Sequence, residues 1–481
     1  MLDPGYFKGK TVLIMGLGRF GGGVDAVKFA AGADAKVIVT DLASPQQLGN
    51  SIKELEGFSN IEFHLGSHEV KDFETADIVI ANPAVPADNK FLQIARNAGR
   101  HVTSQINIFF ELCPAKTIGI TGANGKSTTT SLTAHLLRTQ NAEHRTQYEN
   151  VWLTGNIGNQ PFLTALDKIK PNDLVVIELS SFQIEQLAEI HSSPHIALLT
   201  NLTPNHLDRY GTFEKYCAAK ENIFKYQKLD KNKPAISIFN SEDEIAMQWY
   251  EKYKSDADRI CIKFSADDVS SSIREKYSLP GRANLANLAA ALSIVRNFGV
   301  TDESIKKALP DFKALPHRLE LVGEINGIRW YNDSKATTPE GAITALNAFD
   351  VPIILIAGGY DKHLPFDKFA EKIVEKAKAT ILIGQTAPKI DEAINNAGMS
   401  LRAKRSNLKN LTTNDQRPAT NTIIVDSLSD AVTLANNLAK HGDVVLLSPA
   451  CASYDMFENY EQRGHQFAKF VNLLDKNISN K

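Results

Sequence analysis

The stretch Thr117-Ile-Gly-Ile-Thr-Gly-Ala-Asn-Gly-Lys-Ser-Thr128 combines an apolar run, a glycine turn and a Gly-Lys-Ser ending. The run from Ile118 to Ile120 predicts a buried strand, and the residues from Thr128 to about position 138 predict the helix that follows. Gly122 and Gly125 allow the backbone between them to turn its N–H groups toward phosphate oxygens. The stretch therefore predicts a nucleoside triphosphate site.

Two side chains at the end of this loop suit phosphate chemistry. Lys126 supplies a positive charge, and Ser127 offers a hydroxyl to a Mg²⁺ that bridges two phosphates. Only Ala123 and Asn124 separate Gly122 from Gly125, whereas the usual phosphate loop has four residues before its Gly-Lys pair. The alternative interpretation is an ordinary strand-to-helix turn that ends in Gly-Lys-Ser by chance.

Length and composition set the class of protein. A chain of 481 residues exceeds what one hydrophobic core usually holds, so we expect several domains. Lysine and arginine number 53 against 55 aspartates and glutamates, a balance that predicts neither nucleic acid binding nor a basic membrane anchor. The sequence has no apolar run of the roughly 18 residues that a membrane-spanning helix needs, and its N-terminus has no signal-peptide pattern. We expect a cytoplasmic protein, and the four scattered cysteines predict reduced thiols.

Three segments of the chain each open with an apolar strand and a glycine turn. The first strands of these segments are expected at positions 11–15, 116–121 and 353–357. Alternating strands and helices favour mostly parallel sheets. We therefore predict three serial α/β domains over residues 1–110, 111–313 and 314–481, with a Rossmann-like first domain, a phosphate-loop central domain and a Rossmann-like third domain.

The first segment carries Gly16-Leu-Gly-Arg-Phe-Gly21 directly after its strand, and Asp41 follows twenty positions later. This is the spacing of a dinucleotide fingerprint. Because a glycine turn after a first strand serves many nucleotides, a nicotinamide-dependent oxidoreductase is one interpretation among several.

Two polar side chains of the central segment follow strands whose ends we expect beside the phosphate loop. Glu178 comes directly after a buried strand, where a carboxylate can reach a Mg²⁺ held by Ser127. His206 lies on the polar loop after the next strand. The alternatives are a helix-capping acid and a solvated histidine.

Taken together, the motifs resemble those of the Mur ligases, over essentially the whole chain. The matching segments are Thr121-Gly-Ala-Asn-Gly-Lys-Ser-Thr128, Gly155-Asn-Ile-Gly158, Glu178-Leu-Ser-Ser-Phe-Gln183, Asn205-His-Leu-Asp-Arg-Tyr210, Ala219-Lys220 and Leu315-Pro-His-Arg318. In the third domain Asn332-Asp-Ser-Lys-Ala-Thr337, Ser448-Pro-Ala-Cys-Ala-Ser453 and Phe457-Glu-Asn-Tyr-Glu-Gln-Arg-Gly464 are similar to the branch that adds D-glutamate.

The resemblance implies an ATP-dependent ligase that joins D-glutamate to UDP-N-acetylmuramoyl-L-alanine through an acyl phosphate, in peptidoglycan precursor synthesis. ATP and Mg²⁺ are the implied cofactors, and we expect a monomer. Lys126, Glu178, His206 and Lys220 are the implied catalytic residues. The metal ligands would be Ser127, Glu178, His206 and Lys220, the last as a carbamate; a plain salt-bridge lysine is the alternative.

The resemblance also assigns three groups of binding residues. Those for ATP are Gly122, Asn124, Gly125, Lys126, Ser127, Thr128, Asn284, Asn287, Arg318 and Asp333. Those for the UDP-linked substrate are Gly16, Leu17, Arg19, Asp41, Asn156 and His206. Those for D-glutamate are Lys335, Thr337, Lys362, Ser453 and Tyr460.

The sequence departs from the family pattern at three places: Ala283 stands where a histidine is usual, Arg19-Phe-Gly-Gly-Gly23 is unusually rich in glycine, and Asn82-Pro-Ala84 replaces a Ser-Pro-Gly turn. A folate-polyglutamate-type ligase would share the phosphate loop but should lack the third-domain signatures at 332–337 and 448–464. A non-catalytic regulatory homologue is a further alternative.

Overall fold

The computed structural model describes residues 4–18, 21–144, 148–157, 162–406 and 421–479. The described chain divides into two compact units, residues 1–273 with 286–308 and residues 274–285 with 309–481. Two sheets belong to the first unit and one to the second within the described ranges. In this described part of the chain, no helix is both long and apolar enough to cross a membrane.

The first sheet is entirely parallel and has the order β3-β2-β1-β4-β5. Its strands are β1 Thr11–Met15, β2 Lys36–Asp41, β3 Ile61–Leu65, β4 Ile78–Ala81 and β5 His101–Ser104. The helices of this region are α1 Gly22–Gly32, α2 Gly49–Lys53, α3 Val70–Thr75, α4 Lys90–Asn97 and α5 Gln105–Leu112. Strands β1 and β4 are almost fully buried, as continuous apolar runs covered on both faces should be.

The second sheet is also parallel, in the order β11-β10-β9-β6-β8-β7. Its strands are β6 Lys116–Thr121, β7 Val151–Gly155, β8 Leu174–Glu178, β9 Ile196–Leu199, β10 Ala235–Asn240 and β11 Arg259–Phe264. The helices that follow in the chain are α6 Lys126–His144, α7 Ser181–Glu189, α8 Leu207–Tyr210, α9 Phe213–Lys225, α10 Glu244–Tyr253, α11 Ser271–Arg274, α12 Arg282–Val295 and α13 Asp302–Ala308.

The first two sheets share one hydrophobic core within the first unit. Phe109 of α5 stacks on Phe162 with ring centroids 4.4 Å apart. Asp25 in the first turn of α1 accepts hydrogen bonds from the backbone N–H groups of Leu163 (2.6 Å) and Thr164 (3.3 Å). These contacts hold the first sheet against the second.

The sheet of the second unit has the order β12-β13-β17-β14-β15-β16. Its strands are β12 Glu320–Ile325, β13 Ile328–Asn332, β14 Ile353–Ala357, β15 Ala377–Leu382, β16 Asn421–Ile424 and β17 Val444–Leu447. The helices are α14 Pro339–Leu346, α15 Asp367–Lys376, α16 Ala387–Ser406, α17 Leu428–Leu438 and α18 Tyr460–Ser479. Pairing is parallel except between β12 and β13, which form a hairpin across Asn326 and Gly327.

Candidate active site

The loop between β6 and α6 has the form that the sequence predicts. Gly122 and Gly125 have φ angles of +149° and +80°, in the region that side chains rarely adopt. A Cβ atom on Gly122 would collide with Thr200 Oγ1, and one on Gly125 would collide with Asn287 Oδ1. Both positions therefore require glycine for their backbone conformation and for the close approach of a neighbour.

The loop is fixed against the residues after β9. The backbone N–H of Asn124 donates to Asn201 Oδ1 (2.9 Å), and Thr200 Oγ1 donates to the Asn124 carbonyl (2.6 Å). Lys126 Nζ donates to the Ala123 carbonyl (2.9 Å), across the turn. Ser127 and Thr128 are buried at the start of α6. An anion in this turn would meet a helix N-terminus and a nearby ammonium group.

Glu178 is buried at the carboxyl end of β8. The chain leaves this strand through a capping box, in which Ser180 Oγ accepts from Gln183 N (3.2 Å) and Gln183 Oε1 accepts from Ser180 N (2.9 Å). Asn156 Nδ2 donates to Glu178 Oε1 (3.3 Å), and the Asn156 backbone N–H donates to the Glu178 carbonyl (2.9 Å). Within the described residues Glu178 Oε2 is buried without a hydrogen-bond partner. A buried carboxylate oxygen without a protein partner is costly by itself and is available to bind a cation.

Lys220 lies on α9 and is almost completely buried. Its ammonium group donates to Thr121 Oγ1 (3.0 Å), and Thr121 Oγ1 donates in turn to the Leu179 carbonyl (2.8 Å). Burial lowers the pKa of Lys220 well below its ordinary value; the charge of Lys126 lowers it further, and Glu178 opposes the shift. The amine is thus held in the neutral, nucleophilic form more readily than an exposed lysine.

His206 precedes α8 and has a left-handed backbone, with φ of 53°. Its ring lies 5.0 Å from the ring of Phe182 and 6.3 Å from that of Tyr216, centroid to centroid. Desolvation by these neighbours lowers the pKa of His206, although the residue keeps an exposed surface. Lys220 Nζ lies 5.1 Å from the centroid of the same Tyr216 ring. The first unit thus brings Glu178, His206 and Lys220 around the phosphate loop's end of the sheet.

The glycine loop of the first sheet forms a separate cluster. Gly18 N donates to Asp41 Oδ2 (3.0 Å), and Asn82 Nδ2 donates to the Gly16 carbonyl (3.3 Å). Leu17 is fully buried, so its side chain packs in the core and only its backbone is available to a ligand. Arg19 lies outside the described residues.

A cavity of about 960 Å³ separates the loop after β4 from the region of His206. Its walls include Ala84 and Val85 on one side and Phe182, His206 and Asp208 on the other. The cavity therefore lies between the loop after β4 of the first sheet and His206 beside the phosphate loop, and it is large enough for a nucleotide-sized ligand.

In the second unit the carboxyl ends of β13, β17 and β14 lie side by side, and the predicted residues follow these strands. Asp333 is buried; its Oδ2 accepts from Ser448 Oγ (2.8 Å) and its Oδ1 from Leu319 N (3.2 Å). Burial raises the pKa of Asp333 to about 7, an effect that these hydrogen bonds and the charge of Arg318 oppose.

The predicted D-glutamate residues are only partly in contact with one another. Lys335 Nζ donates to Tyr460 Oη (2.7 Å) and lies 4.4 Å from the ring centroid. The backbone N–H of Thr337 donates to the Lys335 carbonyl (2.8 Å). Ser453 is buried and Lys362 is exposed, on the loops that follow β17 and β14.

Two of the asparagines assigned to ATP lie on helix α12 and are both buried. Asn287 belongs to the first unit, where its Oδ1 accepts from Thr129 Oγ1 (3.4 Å). Asn284 belongs to the second unit, where its side chain donates to the Pro280 carbonyl (2.8 Å).

Arg463 lies within the motif Phe457–Gly464, but the sequence pattern predicts no role for it. The side chain is completely buried and donates to the carbonyls of Ser334 (2.9 Å), Cys451 (3.1 Å) and Ala452 (3.3 Å). Burial lowers the pKa of Arg463 to about 10. Arg463 therefore ties the loop after β13 to the loop after β17, and a positively charged residue in an otherwise apolar helix face was the available signal.

These features define a class: a multidomain α/β protein with a phosphate loop at the head of a parallel sheet and a buried carboxylate beside it. Three family models match the chain. They are the Mur ligase MurD-like N-terminal domain over residues 10–104, the Mur ligase middle domain over 120–295 and the Mur ligase glutamate ligase domain over 317–451.

Relatives match over nearly the full length. A "UDP-N-acetylmuramoylalanine--D-glutamate ligase" of Roseiflexus sp. (strain RS-1) is 38% identical, over 96% of this chain and 98% of its own. A protein of the same name from Clostridium botulinum (strain Kyoto / Type A2) is 34% identical over 98% of both chains. The chain belongs to the Mur ligase family.

Solved structures agree at the level of the fold. A UDP-N-acetylmuramate-alanine ligase from Thermotoga maritima superimposes with a TM-score of 0.56 at 17% identity, over 96% of this chain and 99% of its own. A MurF ligase from the same organism, in complex with ADP, superimposes with a TM-score of 0.52 at 16% identity, over 98% of this chain and 97% of its own. The prediction of three serial α/β domains is confirmed; the exact boundaries stay a prediction.

Proposed function

We propose that this protein uses ATP to join D-glutamate to UDP-N-acetylmuramoyl-L-alanine, as a step of peptidoglycan precursor synthesis. The observation that carries the proposal is the full-length similarity to two proteins named as D-glutamate ligases. The arrangement of Lys126, Glu178 and Lys220 around the phosphate loop supports it, because such a set suits phosphoryl transfer.

The chemistry needs two steps. A carboxylate is a poor electrophile, so its oxygen first attacks the γ-phosphorus of ATP, giving an acyl phosphate and ADP. The amine of D-glutamate then attacks the acyl carbon and releases inorganic phosphate. Negative charge develops on phosphoryl oxygens in both steps, where Lys126 and the N-terminus of α6 would stabilise it.

The described residues fit Mg²⁺. Glu178 offers a buried unpartnered oxygen and Ser127 a buried hydroxyl at the phosphate loop. His206 and a carbamate on Lys220 would complete the proposed ligand set. When bound, Mg²⁺ would neutralise phosphate charge that protein cations alone leave uncompensated. Asn156 orients Glu178 by its two hydrogen bonds.

Lys220 suits carbamate formation. Its neutral amine would attack CO₂, forming an N–C bond and releasing one proton, and the product is an anionic oxygen ligand. Because burial lowers its pKa, Lys220 is neutral more often than an exposed lysine and is therefore carbamylated more readily.

The remaining assignments are part of the same proposal. ATP would contact the phosphate loop together with Asn284, Asn287, Arg318 and Asp333. The UDP-linked substrate would contact Gly16, Leu17, Arg19, Asp41, Asn156 and His206, and D-glutamate would contact Lys335, Thr337, Lys362, Ser453 and Tyr460. The proposal also includes a cytoplasmic monomer with no nucleic acid partner.

Phosphate release from ATP tests the proposal. The protein is incubated with Mg²⁺, UDP-N-acetylmuramoyl-L-alanine and one of four acceptors: D-glutamate, L-glutamate, L-lysine or meso-diaminopimelate. We expect release with D-glutamate alone. Phosphate release with another acceptor would contradict D-glutamate as the acceptor. No phosphate release with any of the four acceptors would contradict UDP-N-acetylmuramoyl-L-alanine as the substrate. A change in nicotinamide absorbance would instead favour the oxidoreductase alternative.

A further inference from the structure

Arg209 joins two parts of the first unit that belong to different sheets. Its guanidinium donates to the carbonyls of Pro83 and Ala84 in the loop after β4, at 3.2 Å each. The same group donates to Glu185 Oε2 on α7 at 3.3 Å. One planar side chain thus holds a loop of the first sheet and a helix of the second.

The loop that Arg209 holds is itself connected to the first glycine turn. Asn82 Nδ2 donates to the Gly16 carbonyl (3.3 Å), while Asn82 Oδ1 accepts from Ala84 N (3.0 Å). A Cβ on Gly16 would collide with the Asn82 side chain. A continuous set of hydrogen bonds therefore connects the Arg209 guanidinium, through Ala84 and Asn82, to the backbone of Gly16.

On its other side, Arg209 supports the ring that packs against His206. The guanidinium carbon lies 4.1 Å from the centroid of the Phe182 ring, and that ring lies 5.0 Å from the His206 ring. Glu185 Oε2, besides binding Arg209, accepts a hydrogen bond from Tyr210 Oη (3.0 Å). The same guanidinium therefore contacts both the loop after β4 and the ring that packs against His206.

We propose that Arg209 is a positioning residue that sets the distance between the loop at 82–86 and His206 for the UDP-linked substrate. The inference rests on the proposed function. The cavity of about 960 Å³ lies between these two groups, and Arg209 is part of its wall. A substrate with a nucleotide at one end and a peptide carboxylate at the other must contact both walls at once.

A simple ion pair with Glu185 would not explain this geometry. The side chains of Arg209 and Glu185 are 19% and 37% exposed, and exposed ion pairs contribute about 0–1 kcal/mol. Two of the three hydrogen bonds from the guanidinium go to loop carbonyls instead of to the carboxylate. Loop placement is therefore the main consequence of the contact.

The test measures KM for each substrate and kcat in wild type, Arg209→Gln and Arg209→Lys. Arg96→Gln is the matched control: Arg96 lines the same cavity and donates to the Ala87 carbonyl (2.7 Å), directly after this loop, but it is not part of the stack of Arg209, Phe182 and His206. We expect Arg209→Gln to raise KM for UDP-N-acetylmuramoyl-L-alanine roughly tenfold or more, the loss expected for hydrogen bonds to a charged group. KM for ATP should not change. The KM of Arg209→Lys for the UDP-linked substrate should lie between those of wild type and Arg209→Gln, because one ammonium group keeps the charge but cannot replace the planar guanidinium.

Three results would overturn the inference: an unchanged KM in Arg209→Gln, equal effects of Arg209→Gln and Arg96→Gln, or a parallel rise of all three KM values with a lower melting temperature. If Arg209→Gln does not fold, Arg209→Lys decides. Calorimetric binding of the same UDP substrate separates the two hypotheses. A wild type that neither binds it nor turns it over removes the proposed function and this inference together, whereas an active wild type with an equally active Arg209→Gln removes the inference alone.

Discussion

The ammonium group of Lys220 donates a 3.0 Å hydrogen bond to Thr121 Oγ1, at the last residue of the strand that leads into the phosphate loop. Helix α9 and strand β6 are thereby connected at the point where a phosphate and a metal would meet. A buried lysine whose nearest partner is a neutral hydroxyl is held in the charged form weakly, because the hydroxyl does not repay the desolvation of the ammonium group.

Lys220→Ala should abolish most of the ligase activity, by a factor of at least about 10², since it removes the proposed anionic ligand. Acetate or another short carboxylate should restore part of the activity by occupying the vacated space. Phosphate release measures both effects. Lys215→Gln, an exposed position on the same helix, is the control and should retain full activity. Full activity of Lys220→Ala would exclude the carbamate.

Glu178→Gln should raise the Mg²⁺ concentration needed for half-maximal activity by roughly 10–100-fold, the usual cost of disturbing a metal ligand. The amide has nearly the same shape, so the hydrogen bond from Asn156 is the main contact that must rearrange. A magnesium titration of phosphate release gives the measurement. Exposed Glu149→Gln serves for comparison. An unchanged magnesium requirement would show that Glu178 is not a ligand.

Gly125→Ala should impair ATP use because its φ is +80° and its new Cβ would overlap Asn287 Oδ1. We expect KM for ATP to rise by an order of magnitude, with a loss of stability of about 1–3 kcal/mol from backbone strain. Gly32→Ala, in α1 with open space around it, should be neutral or slightly stabilising. Thermal unfolding and ATP kinetics of the two variants distinguish strain at the loop from a general effect of the added methyl group.

The ends of several strands could be predicted from the sequence. Strands β1 and β14 begin and end at the predicted residues, because an apolar run between polar or glycine positions is a local signal. The glycine loop before Lys126 was predictable for the same reason. Which polar side chains then meet was not, since the pairing of Asn156 with Glu178 depends on the register of β7 against β8.

Other features depend on packing between segments that are distant in sequence. Residues 274–285 belong to the compact unit of the third sheet, where Gly281 lies against Ala348, although they precede residues of the first unit. The antiparallel hairpin of β12 and β13 departs from the parallel pattern at a sheet edge. The apolar helix face around Arg463 indicates burial, but the carbonyls of Ser334, Cys451 and Ala452 that receive its hydrogen bonds lie on other loops and cannot be read from the helix itself.

Asp333 should make stability depend on pH. Its folded pKa of about 7 exceeds the ordinary value of 3.8, so the folded chain binds a proton more tightly than the unfolded chain. The contribution of Asp333 to the free energy of unfolding is fully present below about pH 4 and is lost as the pH rises to about 7. The melting temperature of wild type relative to Asp333→Asn should therefore fall between pH 5 and pH 7.5. A constant difference between the two proteins over that range would contradict the raised pKa.

Tyr460→Phe tests whether the phenol or the ring matters at the proposed acceptor site. The Tyr460 hydroxyl accepts a hydrogen bond from the Lys335 ammonium group (2.7 Å) and donates one to Glu461 Oε1 (3.0 Å). The centroid of the Tyr460 ring lies 4.4 Å from the same ammonium group. Removal of the hydroxyl leaves the cation near the ring face, an interaction of about 0.5–2 kcal/mol, so Lys335 should stay close to its place. We expect KM for D-glutamate to rise only about three- to tenfold with kcat nearly unchanged, whereas Lys335→Gln, which removes the charge itself, should raise it about 100-fold or more. Equal losses in the two variants would mean that the hydroxyl, through its bond to Lys335, is what orients the cation toward the acceptor carboxylate.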